Sequence, residues 1–176
     1  MRGSMSAPGV LVVVVMLLLS APSAWAQERI ISSEDGVIRV SIPEGWVKSD
    51  VNKKKDRLQV KDPENEYYVL FLYDSKSDLD TNLKDYAKGR CDHIVESLKN
   101  GSATEPKAVK VGENTAIQYE ISGSGKETGV RLKYLFTVVE TKTAYVQCMG
   151  WSIASKYGLA KPELEKVTQG LTEKSK

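Results

Sequence analysis

The sequence predicts an α+β domain, an antiparallel β-sheet with helices packed on its faces in an α/β/α sandwich, and three observations predict it. Short segments with apolar residues at every second position recur along the chain, separated by Gly-, Pro- and Asp-rich turns. Two stretches place their apolar residues at helical spacing. Tyr67-Tyr68-Val69-Leu70-Phe71-Leu72-Tyr73 is apolar on both faces, the pattern of a central strand covered by packing on each side. The chain has 176 residues, 41% hydrophobic and 27% charged, which fits one globular domain and excludes collagen, coiled coil and long disorder.

The first 26 residues have a different character. Arg2 gives a basic start, Val10 to Leu19 is an unbroken apolar run, and Ser20-Ala21-Pro22-Ser23 interrupts it before Ala24-Trp25-Ala26. This order is that of a secretory signal peptide with an Ala-x-Ala cleavage signal, so residues 1–26 are expected to be removed and 27–176 to form the single domain. The apolar run is about half of the ~20 residues that a spanning helix needs, which argues against a stable transmembrane segment after cleavage. The expected location is therefore extracytoplasmic, periplasmic or secreted.

Each element of the mature chain has its own signal. Ile38, Val40 and Ile42 alternate in a strand from Val37 to Ile42, and Pro43-Glu44-Gly45-Trp46 turns the chain. Lys53, Lys54 and Lys55 lie between Asn52 and Arg57, as at a solvated hairpin tip. Leu58 to Lys61 and Tyr67 to Tyr73 form the next strands around Asp62-Pro63-Glu64-Asn65. Leu83, Tyr86, Ala87, Cys91, Ile94, Val95 and Leu98 make one helical stripe, with Asp78 or Asp80 as its cap and Gly101 at its end. Strands follow at Lys107 to Val111, Ala116 to Ile121, Val130 to Val138 and Ala144 to Trp151, with Ser122 to Gly129 as a hairpin loop and Glu140 to Thr143 as a tighter one. Lys161 to Leu171 closes the chain as a helix, with Pro162 in its first turn.

Composition limits the chemistry. A net charge of +2 supplies no strong attraction to nucleic acid. One His and two Cys leave no four-ligand zinc cluster, and His93 falls on the polar side of its helix, away from any triad partner. Gly123-Ser124-Gly125-Lys126-Glu127 lacks the Ser or Thr that a phosphate loop requires after Lys, and it joins two strands instead of opening a helix. Asp74, Asp78 and Asp80 cluster before the first helix and are a candidate calcium site, against a plainer role in capping. Trp46 and Trp151 are candidates for a ligand or partner surface, against packing at the edge of the core. In an oxidising compartment Cys91 and Cys148 are candidates for a disulfide, the alternative being two buried thiols. Asn100-Gly101-Ser102 matches the N-glycosylation pattern.

In this order the elements resemble the PsbP-like group of exported domains, which includes the lumenal extrinsic subunit of photosystem II and the bacterial DcrB-type proteins. The resemblance is carried by Val37-Ile38-Arg39-Val40-Ser41-Ile42-Pro43-Glu44-Gly45-Trp46, by the amphipathic helix Leu83 to Leu98, and by Ala144-Tyr145-Val146-Gln147-Cys148. Ser155-Lys156-Tyr157 and Lys161-Pro162 then lead into the closing helix. It implies a non-catalytic accessory or docking domain whose partner is a protein at the membrane or envelope. It supplies no catalytic residues, and the membrane-docking N-terminal segment of the photosystem subunit has no counterpart in Gln27 to Asp35. The alternatives are a small-molecule or calcium-binding extracytoplasmic protein and an enzyme using a pocket carboxylate or lysine.

Overall fold

A computed structural model describes residues 29–49 and 57–172. The expected signal peptide and the Lys53–Lys55 tip lie outside the described residues. Eleven strands and two helices succeed one another as β1 (Arg29–Ser32), β2 (Arg39–Ile42), β3 (Val47–Lys48), β4 (Arg57–Asp62), β5 (Tyr67–Ser75), α1 (Leu83–Ser97), β6 (Leu98–Ala103), β7 (Lys107–Val111), β8 (Asn114–Gly125), β9 (Arg131–Glu140), β10 (Ala144–Ile153), α2 (Tyr157–Gln169) and β11 (Leu171–Thr172). Eight strands form one sheet in the order β3-β4-β5-β10-β9-β8-β6, with β7 continuing the β6 edge along β8. Every pairing is antiparallel, as the hairpin connections require.

The Val37–Ile42 segment is a strand with Ile38, Val40 and Ile42 buried, but it joins a separate three-stranded sheet, β1-β2-β11. Alternation reports that one face is buried and is silent on which sheet provides the neighbours. The first helix matches its stripe and begins one residue after Asn82, whose side chain accepts from the Asp85 amide at 3.0 Å; Asn82, and neither Asp78 nor Asp80, is the cap. Gly101 does not end that helix. It lies inside β6, which starts at once after α1, and a Cβ there would stand 2.1 Å from the Val95 carbonyl oxygen, so only glycine lets the strand pass the end of the helix. Strand β8 runs through Ser122-Gly123-Ser124-Gly125, shortening the expected loop. Helix α2 starts at Tyr157, a turn earlier than expected, which puts Pro162 inside it; the carbonyl that loses its partner belongs to the exposed Gly158.

Along β9 and β10 the buried side chains divide by parity. Phe136, Val138 and Tyr145 pack with Tyr86, Ala87 and Cys91 of α1. Leu135, Val139, Val146 and Cys148 pack with Ala160, Leu164 and Val167 of α2, together with Ile38, Val40 and Ile42 of the small sheet. Successive residues of a strand point to opposite faces, so the two helices serve opposite faces of the large sheet. That division corrects the expected disulfide. Cys148 does face a helix, but the helix is α2, and the sheet separates its sulfur from that of Cys91; both are free, buried thiols. Burial pushes the Cys91 thiol up to about 11 and the Cys148 thiol well above its usual value, so neither ionises at neutral pH.

Candidate functional site

Two arrangements lie side by side on the α1 face. The first is a polar knot where α1 meets β5 and β10. Strand β5 carries Asp74 to the end of the helix-facing row, and the helix brings Tyr86 and Arg90 over it, four residues apart and therefore on one side. The Asp74 carboxylate accepts from the Tyr86 hydroxyl, from Arg90 Nη2 at 2.6 Å and from Gln147 Nε2 at 3.3 Å; Gln147 Nε2 also donates to the Tyr86 hydroxyl at 2.9 Å. Tyr86 stacks on Tyr145 at 4.7 Å, the Arg90 guanidinium lies over the Tyr86 ring at 5.2 Å, and Lys76 lies over Tyr145 while pairing with Glu140 at 2.7 Å. Burial, reinforced by the Asp74 hydrogen bond, raises the Tyr86 phenol to about 12, so it remains a proton donor across the physiological range. The groups in this knot are engaged with one another, an arrangement suited to pinning α1 on the sheet.

The three expected calcium ligands are placed differently from one another. Asp74 is occupied by three protein donors, Asp78 sits in the short 3-10 turn Lys76–Asp78 accepting from Ser77 at 2.9 Å, and Asp80 follows on exposed chain. Among the described residues no three carboxylate, imidazole or thiol groups converge to hold a metal ion. Sequence proximity did not become convergence because the strand end fixes Asp74 toward the helix while the chain turns away after it.

The second arrangement is the part of the same face that α1 does not cover. The helix packs along β6, β8 and β9 and meets β5 and β10 at the knot. Beyond it, the register lines up Tyr68, Trp151 and Tyr134 in one row across β5, β10 and β9, with Leu70, Met149 and Phe136 in the next. Trp151 stacks on Tyr68 at 5.2 Å and 13° and leans against Tyr134 at 6.3 Å. Tyr68, Leu72, Tyr134, Met149 and Trp151 are all half-buried, and Arg57 and Lys61 of β4 border them. The Nε of Arg57 is shut from solvent without a hydrogen-bond partner among the described residues. Trp151 thus stands half-buried on this face, stacked among aromatic neighbours. Trp46 does not: it is 3% exposed and belongs to the core beneath α2, so it is corrected from surface candidate to core residue. Tyr68, Tyr134 and Met149 were not singled out in the sequence as site residues: the two-sided apolarity of β5 predicts cover on both faces, whereas Tyr68 and Leu72 are only half-buried. His93 is exposed on α1, and Asn100 is exposed on β6 with φ of 54°.

No family model matches the chain, and no curated protein is similar in sequence. Solved structures do match. The cyanobacterial PsbP of Synechocystis sp. PCC 6803 aligns with a TM-score of 0.60 at 11% identity, covering 87% of this chain and 96% of that one. LpqN, involved in cell envelope biogenesis of Mycobacterium tuberculosis, aligns with a TM-score of 0.58 at 13% identity over 83% of this chain and 90% of that one. A Pseudomonas aeruginosa protein of unknown function gives 0.55 at 12% identity over 85% and 99%. The domain therefore has a PsbP-like α+β fold, and at these identities the likeness is one of fold alone. Among the described residues no helix is long and apolar enough to cross a membrane.

Proposed function

We propose that this chain is an exported, non-catalytic accessory domain, an α/β/α sandwich of PsbP type that docks a protein partner at the cell envelope. After cleavage near Ala26 it works in the periplasm or outside the cell. One observation carries the reading: the half-open face on which Tyr68, Leu72, Trp151, Tyr134 and Met149 stand, with Lys61 beside Tyr68 and Arg57 beside Leu72. Aromatic side chains, Met and Arg are the types enriched where proteins meet, and an accessible cluster of them on a rigid sheet marks an interaction surface. The involvement of LpqN, a neighbour in fold, in cell envelope biogenesis is in keeping with this assignment.

The test places a photo-crosslinking amino acid at Trp151 and, in a second protein, at Lys166 on the opposite helix, each expressed in the producing cell. A discrete adduct from position 151, competed by the unlabelled domain and missing from position 166, is the expected result. Equal labelling from both positions, or none from 151, overturns the docking face. N-terminal sequencing of the same material is expected to begin at Gln27; a chain retaining residues 1–26 removes the export reading independently.

A further inference from the structure

A separate feature lies on the other side of the molecule, between β7 and the last turn of α2. A groove of about 260 Å³ is lined by Val109, Val111, Gln118, Glu165, Thr168 and Gln169. It is smaller than the roughly 300–1,000 Å³ of small-molecule pockets, and suits one or two side chains. Its floor is apolar, with Val111 buried and Val109 half-buried against the core beneath α2. Its outer rim is a backbone edge, because β7 pairs with β8 on one side and, among the described residues, with no strand on the other.

Gln169 shows what that edge accepts. Its Nε2 donates to the Lys110 carbonyl at 2.8 Å, and its Oε1 receives the Gly112 N–H at 3.4 Å. One carboxamide therefore bonds a C=O and an N–H two residues apart on the edge, as the N–H and C=O of one residue of a parallel neighbouring strand do. By the two-residue period of the ladder, Ala108 turns its own N–H and C=O outward in line with Lys110. Upstream the same edge is interrupted by Pro106 and by the register shift between Lys99 and Ser102, which leaves β7 as its regular stretch.

We propose that β7 and this groove receive an extended segment of a partner protein, which adds as a strand to the β7 edge, displaces the Gln169 side chain and sets an apolar side chain on Val109 and Val111. Such strand addition takes its affinity from main-chain hydrogen bonds and its selectivity from pockets under alternate side chains, and both elements are present here. The edge lysines decide against a second copy of this chain: edge-to-edge pairing would bring two sets of Lys107 and Lys110 together, an arrangement that discourages self-association. This surface is distinct from the Trp151 face and stands whichever way that reading falls.

The experiment titrates the 15N-labelled protein with a blocked heptapeptide of alternating valine and threonine, chosen because main-chain bonding tolerates many sequences. The amides of Ala108, Lys110 and Gly112 and the Gln169 side-chain amide are expected to shift together. Gln169→Ala removes the group that must be displaced and is expected to tighten binding about three- to tenfold. Ala108→Pro deletes an outward N–H that an edge strand does not need for its own sheet, and is expected to abolish the shifts while leaving the thermal midpoint close to that of the parent. No shift at these amides with millimolar peptide in the Gln169→Ala protein overturns the proposal, as does unchanged or weaker binding by that variant. The same shifts on concentrating the protein without peptide make a second copy the occupant and overturn it too.

Discussion

On one face of the eight-stranded sheet, α2 and the three-stranded sheet close over Val60, Val69, Phe71, Val139 and Cys148, all of them fully buried. On the other, α1 packs along β6, β8 and β9, meets β5 and β10 at the Asp74 knot, and leaves Tyr68, Leu72, Met149 and Trp151 half-buried. The same strands supply both faces, so the difference is one of cover. A closed face contributes stability through apolar area removed from water, whereas a half-open face keeps part of that area available to a partner. Substitutions that separate stability from partner binding should therefore sort by face.

The largest expected effect is on the closed side. Leu164 of α2 is fully buried and meets Gly150 of β10, where an added Cβ would approach its side chain to 3.1 Å. Truncation of a leucine so enclosed costs about 2–5 kcal/mol, because the tight packing leaves a cavity that cannot collapse freely. The same Leu→Ala change at the half-buried Leu72, on the opposite face of β5, is expected to cost about 1 kcal/mol, since much of its area is already wet. Urea midpoints of L164A and L72A measure the contrast, and equal losses would mean that both faces are closed in solution.

The next effect tests the pin that holds α1. Tyr86→Phe removes one of three donors to Asp74 and the acceptor for Gln147, leaving neighbouring buried polar groups underused, at about 1–3 kcal/mol. Its pH dependence has a definite direction. The folded-state value of Tyr86, about 12, lies above its ordinary 10, so the phenol's contribution is complete below pH 10 and is lost as pH rises through 12. The stability difference between wild type and Y86F is accordingly expected to shrink in that alkaline window, while amide exchange in α1 quickens in the variant at neutral pH. A difference that persists unchanged to pH 12 would detach Tyr86 from the Asp74 knot.

How much of this was legible beforehand depends on which physical signal each residue carries. The α1 stripe and the alternation of β8, β9 and β10 could be read because periodicity and burial are local to each segment. Strands β3 and β11, two residues each, and β1 leave no periodic trace, and β6 follows a helix without the loop that usually separates elements. The face on which Cys148 lies is set by β5 and β9 pairing around β10, a long-range matter, and so the disulfide expectation failed although the parity of Ala144, Val146 and Cys148 was right. At the candidate site, Trp151 was in view, but its partners Tyr68 and Tyr134 are 83 and 17 residues away and become neighbours only through register.

The smallest effect concerns the surface pair that ties α2 to the long strand β8. Lys161 Nζ lies 2.7 Å from Glu120 Oε1, with about a third of each side chain exposed. The lysine's hydrogen bond, opposed by partial burial, holds the Glu120 carboxyl below its ordinary 4.5, and the glutamate hydrogen bond raises Lys161 in turn. A carboxyl depressed in the folded state adds stability above its unfolded value and loses it as pH falls through the folded one. Because solvent screens the pair, Glu120→Gln is expected to cost only about 0.2–1 kcal/mol at neutral pH. That cost should fade below pH 4.5 and diminish in high salt. Lys161→Met should cost a similar amount, and the double variant less than the sum of the two, since each single change removes the same interaction. If Glu120→Ala costs well more than E120Q at every pH, the excess is packing of the Glu120 aliphatic stem against α2. The closed face would then extend to the rim of the sheet, sharpening its contrast with the face that α1 leaves half open.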